Sequence, residues 1–409
     1  MAWDGKLDVL VIGGGMFCED CVLPTIFQHR RAGRVDRVIV ASRRAATISH
    51  LHELFPEDNF EGLPALEGHE PEEGCPDAYK DALEELGEHG LVYVTTPDDL
   101  HTRMVLDAIE AGHDVVCMKP LCLKVQEAWR IIERSEELGA YVYTEYHKRR
   151  DRALRGLRYR CRRGELGEIL YGHAWIEEPK YMPLDKFRRW AERSSPFEYI
   201  GTHYADAFHY VTGLMPRRVI GFGQKKFLPE HGSSAWDANQ AVIEWENDAA
   251  FWIQTSWVCP DDNAKMTQQG MMIQGTKGEY KADHADRNLY FVTDEEGFEH
   301  YNPNFMKPFD DWDDPGETDW NGYGYESNSM GIFDVQKLHK ATEGKSESEA
   351  LEIRRNMIDQ WQDDGLRAMP RNALIGVAVN EAVRMSLENG SEPVIFENKM
   401  VPRLEQYTP

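Results

Sequence analysis

No stretch of the 409-residue chain approaches the roughly 18 consecutive apolar residues that a bilayer-spanning helix needs. Cysteine is scarce. Seven in the whole chain is an odd number and too few for a disulfide scaffold, which fits a reducing cytoplasm. Basic residues are short as well, 46 against 71 acidic, for a formal net charge of −25. So acidic a chain lacks the positive footprint that nucleic acid or an anionic membrane requires, and neither is expected as a partner. A zinc-like H-x-x-x-H or doubled C-x-x-C is also missing, so no metal site is expected. The lone C-x-x-C, Cys18 and Cys21, reads as two small residues on a helix. Apolar residues (41%) and aromatics (11%) are present in globular proportion, and the length allows two or three domains.

The opening, "MAWDGKLDVLVIGGG", carries a short apolar segment straight into glycines, which reads as a first strand and not a leader. Leu7 to Ile12 has the unbroken apolar character of a parallel strand buried on both faces. Gly13 and Gly15 fit the first two glycines of G-x-G-x-x-G, with Cys18 in the third position. Such a turn brings backbone close to a pyrophosphate seated on the next helix's N-terminus, here Met16 and Phe17. After the second strand, Val38 to Ala41, come Ser42, Arg43 and Arg44 in place of the acidic residue that grips a ribose 2′-hydroxyl. A hydroxyl and two guanidiniums suit a 2′-phosphate, so NADP is favoured over NAD.

Strand and helix then alternate through "HGLVYVTTPDDLH", "HDVVCMKPLC" and "AYVYTEYHKR", the pattern of a doubly wound sheet. Ligands bind beyond the carboxyl ends of such strands. Thr95, Thr96, Pro97, His101, Lys119, Glu145, His147 and Lys148 lie at or near those ends. Lysine is among the side chains least often buried. One that terminates the run Val115 to Met118, followed by proline, is therefore expected to emerge at the ligand edge.

Together the glycine turn, "VTTPDDLH", "AIEAGHDVVCMKPL", "RGELGEI" and "YIGTHYADAFHYVTG" resemble the glucose–fructose oxidoreductase, inositol dehydrogenase and rhizopine catabolism (Gfo/Idh/MocA) family. The resemblance implies an N-terminal Rossmann domain, residues 1–147, and a C-terminal α/β domain, residues 148–409. The second domain would present a large, open, mostly antiparallel sheet, used to form a homodimer or homotetramer. A late helix around 369–389 would lie near the junction. Lys119 falls on the lysine of the family's E-K-P motif, which contacts substrate and nicotinamide; Met118 replaces the preceding Glu. His203 falls on the family histidine, with Asp206 three residues on and Tyr199 where the family often has Asp. A tyrosine near a late helix, Tyr325, matches one the family places by the nicotinamide.

On their own chemistry these residues suit hydride transfer. Removing an alcohol proton near neutral pH calls for a base, and histidine is the natural one. A cation stabilises the developing alkoxide, and Lys119 is available. Asp206 shares a helix face with His203 and is expected to orient it. Past residue 150, strand-like runs such as "ILYGHAWIEE" and "AAFWIQTSWVC" are separated by turn signals, as in a broad antiparallel sheet. Two loops look suited to a carbohydrate. One holds Tyr181, Arg189 and Trp190; the other holds Trp312, Trp320, Tyr323 and Tyr325. The expectation is a cytoplasmic NAD(P)-dependent oxidoreductase acting on a sugar, cyclitol or sugar derivative. Lys119, His147, Lys148, Tyr181, Trp190 and His203 would touch the substrate. Two alternatives are an NAD-dependent glycosidase working through transient oxidation and a cofactor-bound, non-catalytic sensor.

Overall fold

The computed structural model describes residues 3–262, 266–295, 297–300, 302, 304–310 and 318–405. The chain forms two compact units. The first contains Met1–Leu121, Trp129–Arg150 and Asn304–Asn372; the second contains Cys122–Ala128, Asp151–Pro303 and Ala373–Pro409. The family resemblance implies a division at residue 147, yet 304–372 cluster with the first unit, which is therefore discontinuous.

The first unit is built on six parallel strands: β1 (Leu7–Ile12), β2 (Val35–Ala41), β3 (Glu61–Leu63), β4 (Gly90–Val94), β5 (Asp114–Met118) and β6 (Val142–Glu145). Their order, β3-β2-β1-β4-β5-β6, is the expected doubly wound sheet, with its switch point between β1 and β4. The register pairs Ile12 with both Ala41 and Val94, and Met118 with Glu145. The carboxyl ends of five strands thus fall on one edge. β4 and β5 are buried along their whole length, as strands covered on both faces must be.

Helices α1 (Leu23–Arg31), α2 (Ala45–Leu54), α3 (Ala78–Glu85), α4 (His101–Glu110) and α5 (Val125–Leu138) alternate with these strands, α1 being preceded by a wider helical turn at Cys18–Val22. Cys18 and Cys21 are fully buried there, and burial pushes both thiols well above the ordinary cysteine value, which disfavours the reactive thiolate.

Residues 304–372 add helices to the same unit. A hairpin, β15 (Lys307–Asp310) and β16 (Thr318–Asn321), precedes the helix over Tyr323–Thr342, which packs on the sheet so closely that a Cβ on Gly331 would lie 2.2 Å from Val116 Cγ2. The Tyr93 hydroxyl donates to the Asn328 carbonyl at 2.7 Å, and Arg367 Nη2 donates to Asp334 at 2.9 Å in the same interior. In the last turn of α1, His29 Nε2 lies 2.8 Å from Ser329 Oγ, and burial depresses its pKa to about 4. Burial likewise holds His339 at about 4. Both rings are neutral when folded and take up protons more readily when unfolded. Their contribution is therefore complete above the unfolded pKa near 6.5 and is lost as pH falls toward 4. At pH 5 each linkage costs about 2 kcal/mol. Melting temperature should fall between pH 7 and pH 5, and His29→Gln should flatten that slope.

The second unit holds α6 (Arg152–Arg162), α7 (Thr202–Thr212) and the short α8 (Phe227–Glu230). Its sheet comprises β7 (Ile169–Pro179), β8 (Pro216–Gln224), β9 (Ala238–Trp245), β10 (Ala250–Cys259), β11 (Gln268–Gly275), β12 (Glu279–Asp283), β17 (Val394–Phe396) and β18 (Pro402–Leu404). The order is β12-β11-β7-β10-β9-β8-β17-β18, antiparallel except for β7 beside β10. This matches the large mostly antiparallel sheet expected. Along β10, Phe251, Ile253, Thr255 and Trp257 are buried while Trp252 is 50% exposed, so the sheet has one covered and one open face. Tyr171 and Phe222 are also exposed. A small hairpin, β13 (Tyr290–Thr293) and β14 (Gly297–His300), extends from the same unit. The helices over Tyr323–Thr342, Glu347–Asp364 and Pro370–Glu388 are α9, α10 and α11. Among the described residues, no helix is long and apolar enough to cross a membrane.

Candidate active site

The carboxyl edge of the first unit's sheet gathers most of the residues singled out from sequence. Gly13, directly after β1, has φ +108°, a conformation that glycine alone adopts freely. A Cβ there would sit 2.8 Å from the Thr95 carbonyl oxygen and from Thr95 Oγ1. Thr95 Oγ1 donates to the Gly13 carbonyl at 2.9 Å and so pins the glycine turn to the end of β4. Gly15 differs: a Cβ there would meet nothing within 4 Å. The backbone at Gly15, Met16 and Phe17 thus borders open space where helical residues begin, and the first amides of a helix lack intrahelical partners. In doubly wound sheets a dinucleotide's pyrophosphate rests on a surface of this kind.

After β2, the Ser42 amide donates to the Leu63 carbonyl and the Arg43 carbonyl accepts from Cys75. The Arg43 side chain is exposed, while Arg44 Nε is 3.4 Å from Glu72. An acidic partner from the loop after β3 thus engages one of the two guanidiniums.

Lys119 leaves β5 immediately after its last residue, Met118, and is half-buried. The Lys119–Pro120 bond is cis. Beyond β6, His147 Nδ1 lies 3.2 Å from Glu145 Oε2, and both side chains are buried. Burial lowers the His147 pKa, with the Glu145 carboxylate acting against it and the Lys119 and Lys148 charges acting with it. Lys148 is itself only 2% exposed. The His147 ring stacks on Phe17 at 5.9 Å and on Tyr323 at 5.7 Å, with Phe305 5.0 Å away. An aromatic wall therefore stands beside the glycine turn. Phe305 went unnoticed in the sequence: it arrives from a segment more than 150 residues beyond β6, and nothing local marks it.

Two cofactor assignments change. Tyr325 does not reach this edge; its ring stacks on His29 at 5.5 Å. His29 is in the last turn of α1, about 20 Å along the helix from Gly15. The aromatic residue at the edge is Tyr323, two positions earlier, because α9 turns the two rings to different sides. His101 is at the edge but is 1% exposed, and backbone carbonyls occupy both its ring nitrogens. Nδ1 is 2.7 Å from Pro120 O and Nε2 is 2.9 Å from Thr96 O. It does not present its ring to a cofactor. Thr96 Oγ1 points to Met104 Sδ at 3.3 Å, and Pro97 precedes the turn Asp98–Leu100.

In the second unit, α7 begins at Thr202 and closes on Gly213 at φ +78°, with the Gly213 amide donating to His209 O. His203 is 4% exposed and Asp206, one turn on, is 1% exposed. The His209 ring turns to Leu214 O at 2.8 Å, a helix-end contact that separates it from His203. Tyr199 belongs to an aromatic group, with its ring 4.8 Å from Phe187, 4.9 Å from Trp190 and 6.2 Å from Trp257. Tyr199 and Trp190 are thus brought together. Tyr181 stands at the surface, where its amide donates to Asp261. Trp320, in the first unit, exchanges backbone hydrogen bonds with the Gln28 side chain, and Trp312 lies outside the described residues.

Residues 7–146 match the family model described as oxidoreductase family, NAD-binding Rossmann fold, and residues 154–281 match the GFO/IDH/MocA C-terminal domain. Among curated proteins, the chain is 26% identical to the 2,7-anhydro-N-acetylneuraminate hydratase of Mediterraneibacter gnavus, over 48% of this chain and 51% of that protein. It is 24% identical to the myo-inositol 2-dehydrogenase of Thermotoga maritima, over 55% of this chain and 66% of that protein. The matched regions thus span about half to two thirds of these relatives' length. Among solved structures, GenD2 from gentamicin A biosynthesis in complex with NAD superposes with TM-score 0.67 at 17% identity, covering 96% of this chain and 97% of that one. The myo-inositol 2-dehydrogenase of Lactobacillus plantarum gives 0.67 at 15% identity, covering 96% and 100%. At such identity the likeness establishes the fold.

Proposed function

The chain belongs to the Gfo/Idh/MocA oxidoreductase family, and from that premise we propose that it moves a hydride between a nicotinamide dinucleotide and a hydroxyl or carbonyl of a sugar, cyclitol or sugar derivative. The observation that carries this reading is the shared edge of the first unit, where the Gly13 turn, the open backbone at Gly15 and Lys119 lie beyond neighbouring parallel strands. When bound, the nicotinamide supplies the hydride acceptor or donor. Gly13, Gly15, Met16 and Phe17 would hold the pyrophosphate, and Thr95 would fix the turn beneath it. Lys119 polarises the reacting oxygen and stabilises the alkoxide form. His203 takes the alcohol proton, or returns it in the reductive direction, and Asp206 orients the imidazole. Tyr199, Trp190, His147 and Lys148 serve substrate binding. A carbohydrate panel with NAD and NADP in parallel, followed at the reduced-nicotinamide absorbance band, tests the assignment. No turnover with either coenzyme on any member would overturn it.

NADP is the favoured coenzyme, because Ser42, Arg43 and Arg44 follow β2 with no carboxylate in line for the ribose 2′-hydroxyl. A charge-assisted contact contributes about 1.5–3 kcal/mol, so Arg43→Ala should weaken NADP about tenfold or more and leave NAD nearly unchanged. Fluorescence titration with each reduced coenzyme measures this. The open sheet face with Tyr171, Phe222 and Trp252 serves a homo-oligomer contact in this reading.

A second reading keeps the same site without net redox change. The similarity to a protein named as a hydratase favours transient oxidation followed by return of the hydride. A glycoside or anhydro sugar consumed with no lasting absorbance change would select it.

A further inference from the structure

His101 is left without the cofactor role the sequence suggested, and its surroundings assign it another. It is the first residue of α4, yet its ring turns back across the sheet edge between the loops that follow β4 and β5. The Thr96 carbonyl belongs to the first loop. The Pro120 carbonyl belongs to the second, one residue past Lys119. Both contacts are below 3 Å, and the ring is enclosed. Both carbonyl oxygens are acceptors, so whichever ring nitrogen carries a proton donates to the carbonyl it faces. The shorter contact, 2.7 Å at Nδ1, is the one to Pro120.

We infer that His101 is a positioning residue for Lys119, and that its Nδ1–H, by gripping the Pro120 carbonyl, fixes where the Lys119 amine stands relative to the end of β4. The inference rests on the proposed role of Lys119 only for its effect on turnover; the placement of the amine is separate. A flexible four-carbon stem does not by itself hold an ammonium in one place. The backbone on either side of Lys119 must therefore be held, and His101 holds its C-terminal side. Burial lowers the His101 pKa; the Pro120 carbonyl and the Asp98 charge act against this, and the Lys119 charge acts with it.

Asparagine and glutamine separate the two contacts. An Asn amide can take the place of Nδ1–H and reach Pro120; a Gln amide reaches toward Thr96 in place of Nε2. The readout independent of turnover is the rate at which acetic anhydride acetylates Lys119, followed by peptide mass spectrometry. Coenzyme binding, followed by NADPH and NADH fluorescence, monitors the integrity of the first unit. In His101→Asn the acetylation rate should stay close to wild type. In His101→Gln it should change about threefold or more, because lysine reactivity follows its surroundings closely. Turnover in His101→Gln should fall about tenfold or more, as expected for a misplaced catalytic group, with coenzyme affinity retained. Equal Lys119 rates in His101→Gln and wild type, with coenzyme bound normally, overturn the inference. So do equal changes in both variants. If only one variant folds, its Lys119 rate decides: a rate near wild type in His101→Asn, or a changed rate in His101→Gln, upholds the inference, and the converse overturns it. Should Lys119→Ala keep full turnover, the catalytic reading falls, while the acetylation result still decides whether His101 sets the position of the amine.

Discussion

Lys119→Ala should lower turnover about 10²- to 10³-fold, the range for removing a donor aimed at a developing oxyanion, while affinity for the coenzyme should stay within a small factor of wild type. The selectivity follows from location. Lys119 is half-buried just beyond β5, and the glycine turn lies beyond β1, so the ammonium can be removed without touching Gly13 or its Thr95 anchor. Lys119→Met retains the aliphatic stem and should lose as much turnover as alanine, because the loss is of charge and not of packing. Stopped-flow measurement of the hydride step, beside a coenzyme titration, separates the two quantities. Near-wild-type turnover in either variant removes Lys119 from the mechanism.

His203→Asn should lower turnover about 10²- to 10⁴-fold, the span of a lost general acid–base. Asparagine keeps a hydrogen-bonding amide of similar reach but cannot accept and return a proton at neutral pH. His203 is 4% exposed in the first turn of α7, so the variant also tests the plain alternative that a buried histidine merely completes the helix start. In that case the melting temperature drops and activity follows it in proportion. In the proposed role, the melting temperature and coenzyme affinity hold while turnover collapses. Circular dichroism melts beside steady-state kinetics distinguish the two.

What the sequence revealed, and what it concealed, has a common cause. Contiguous features were legible: the apolar runs of β1, β4 and β5, the glycines after β1, and a lysine placed where an apolar run ends. Each is read within ten residues, because a strand buried on both faces and a turn with positive φ impose composition locally. Tyr325 failed for the opposite reason. Choosing between two tyrosines two positions apart on one helix depends on which side of α9 faces the sheet edge, and packing against His29 and Val116 decides that. His101 was correctly located and wrongly employed, since sequence shows that a histidine is present and not that two carbonyls enclose it. Phe305 could not be found at all without the return of residues 304–372 to the first unit.

That return has a consequence for how the protein is made. On the ribosome, residues 1–150 emerge with Tyr93, Val116 and Tyr141 facing no cover, since the helix that shields them is encoded some 170 residues later. The nascent N-terminal sheet must wait, with an oily flank showing, until Tyr323–Thr342 have been made. Cells that synthesise this chain quickly therefore have reason to hold it with a chaperone, and a fragment cut at residue 150 should aggregate where the full-length chain stays dispersed.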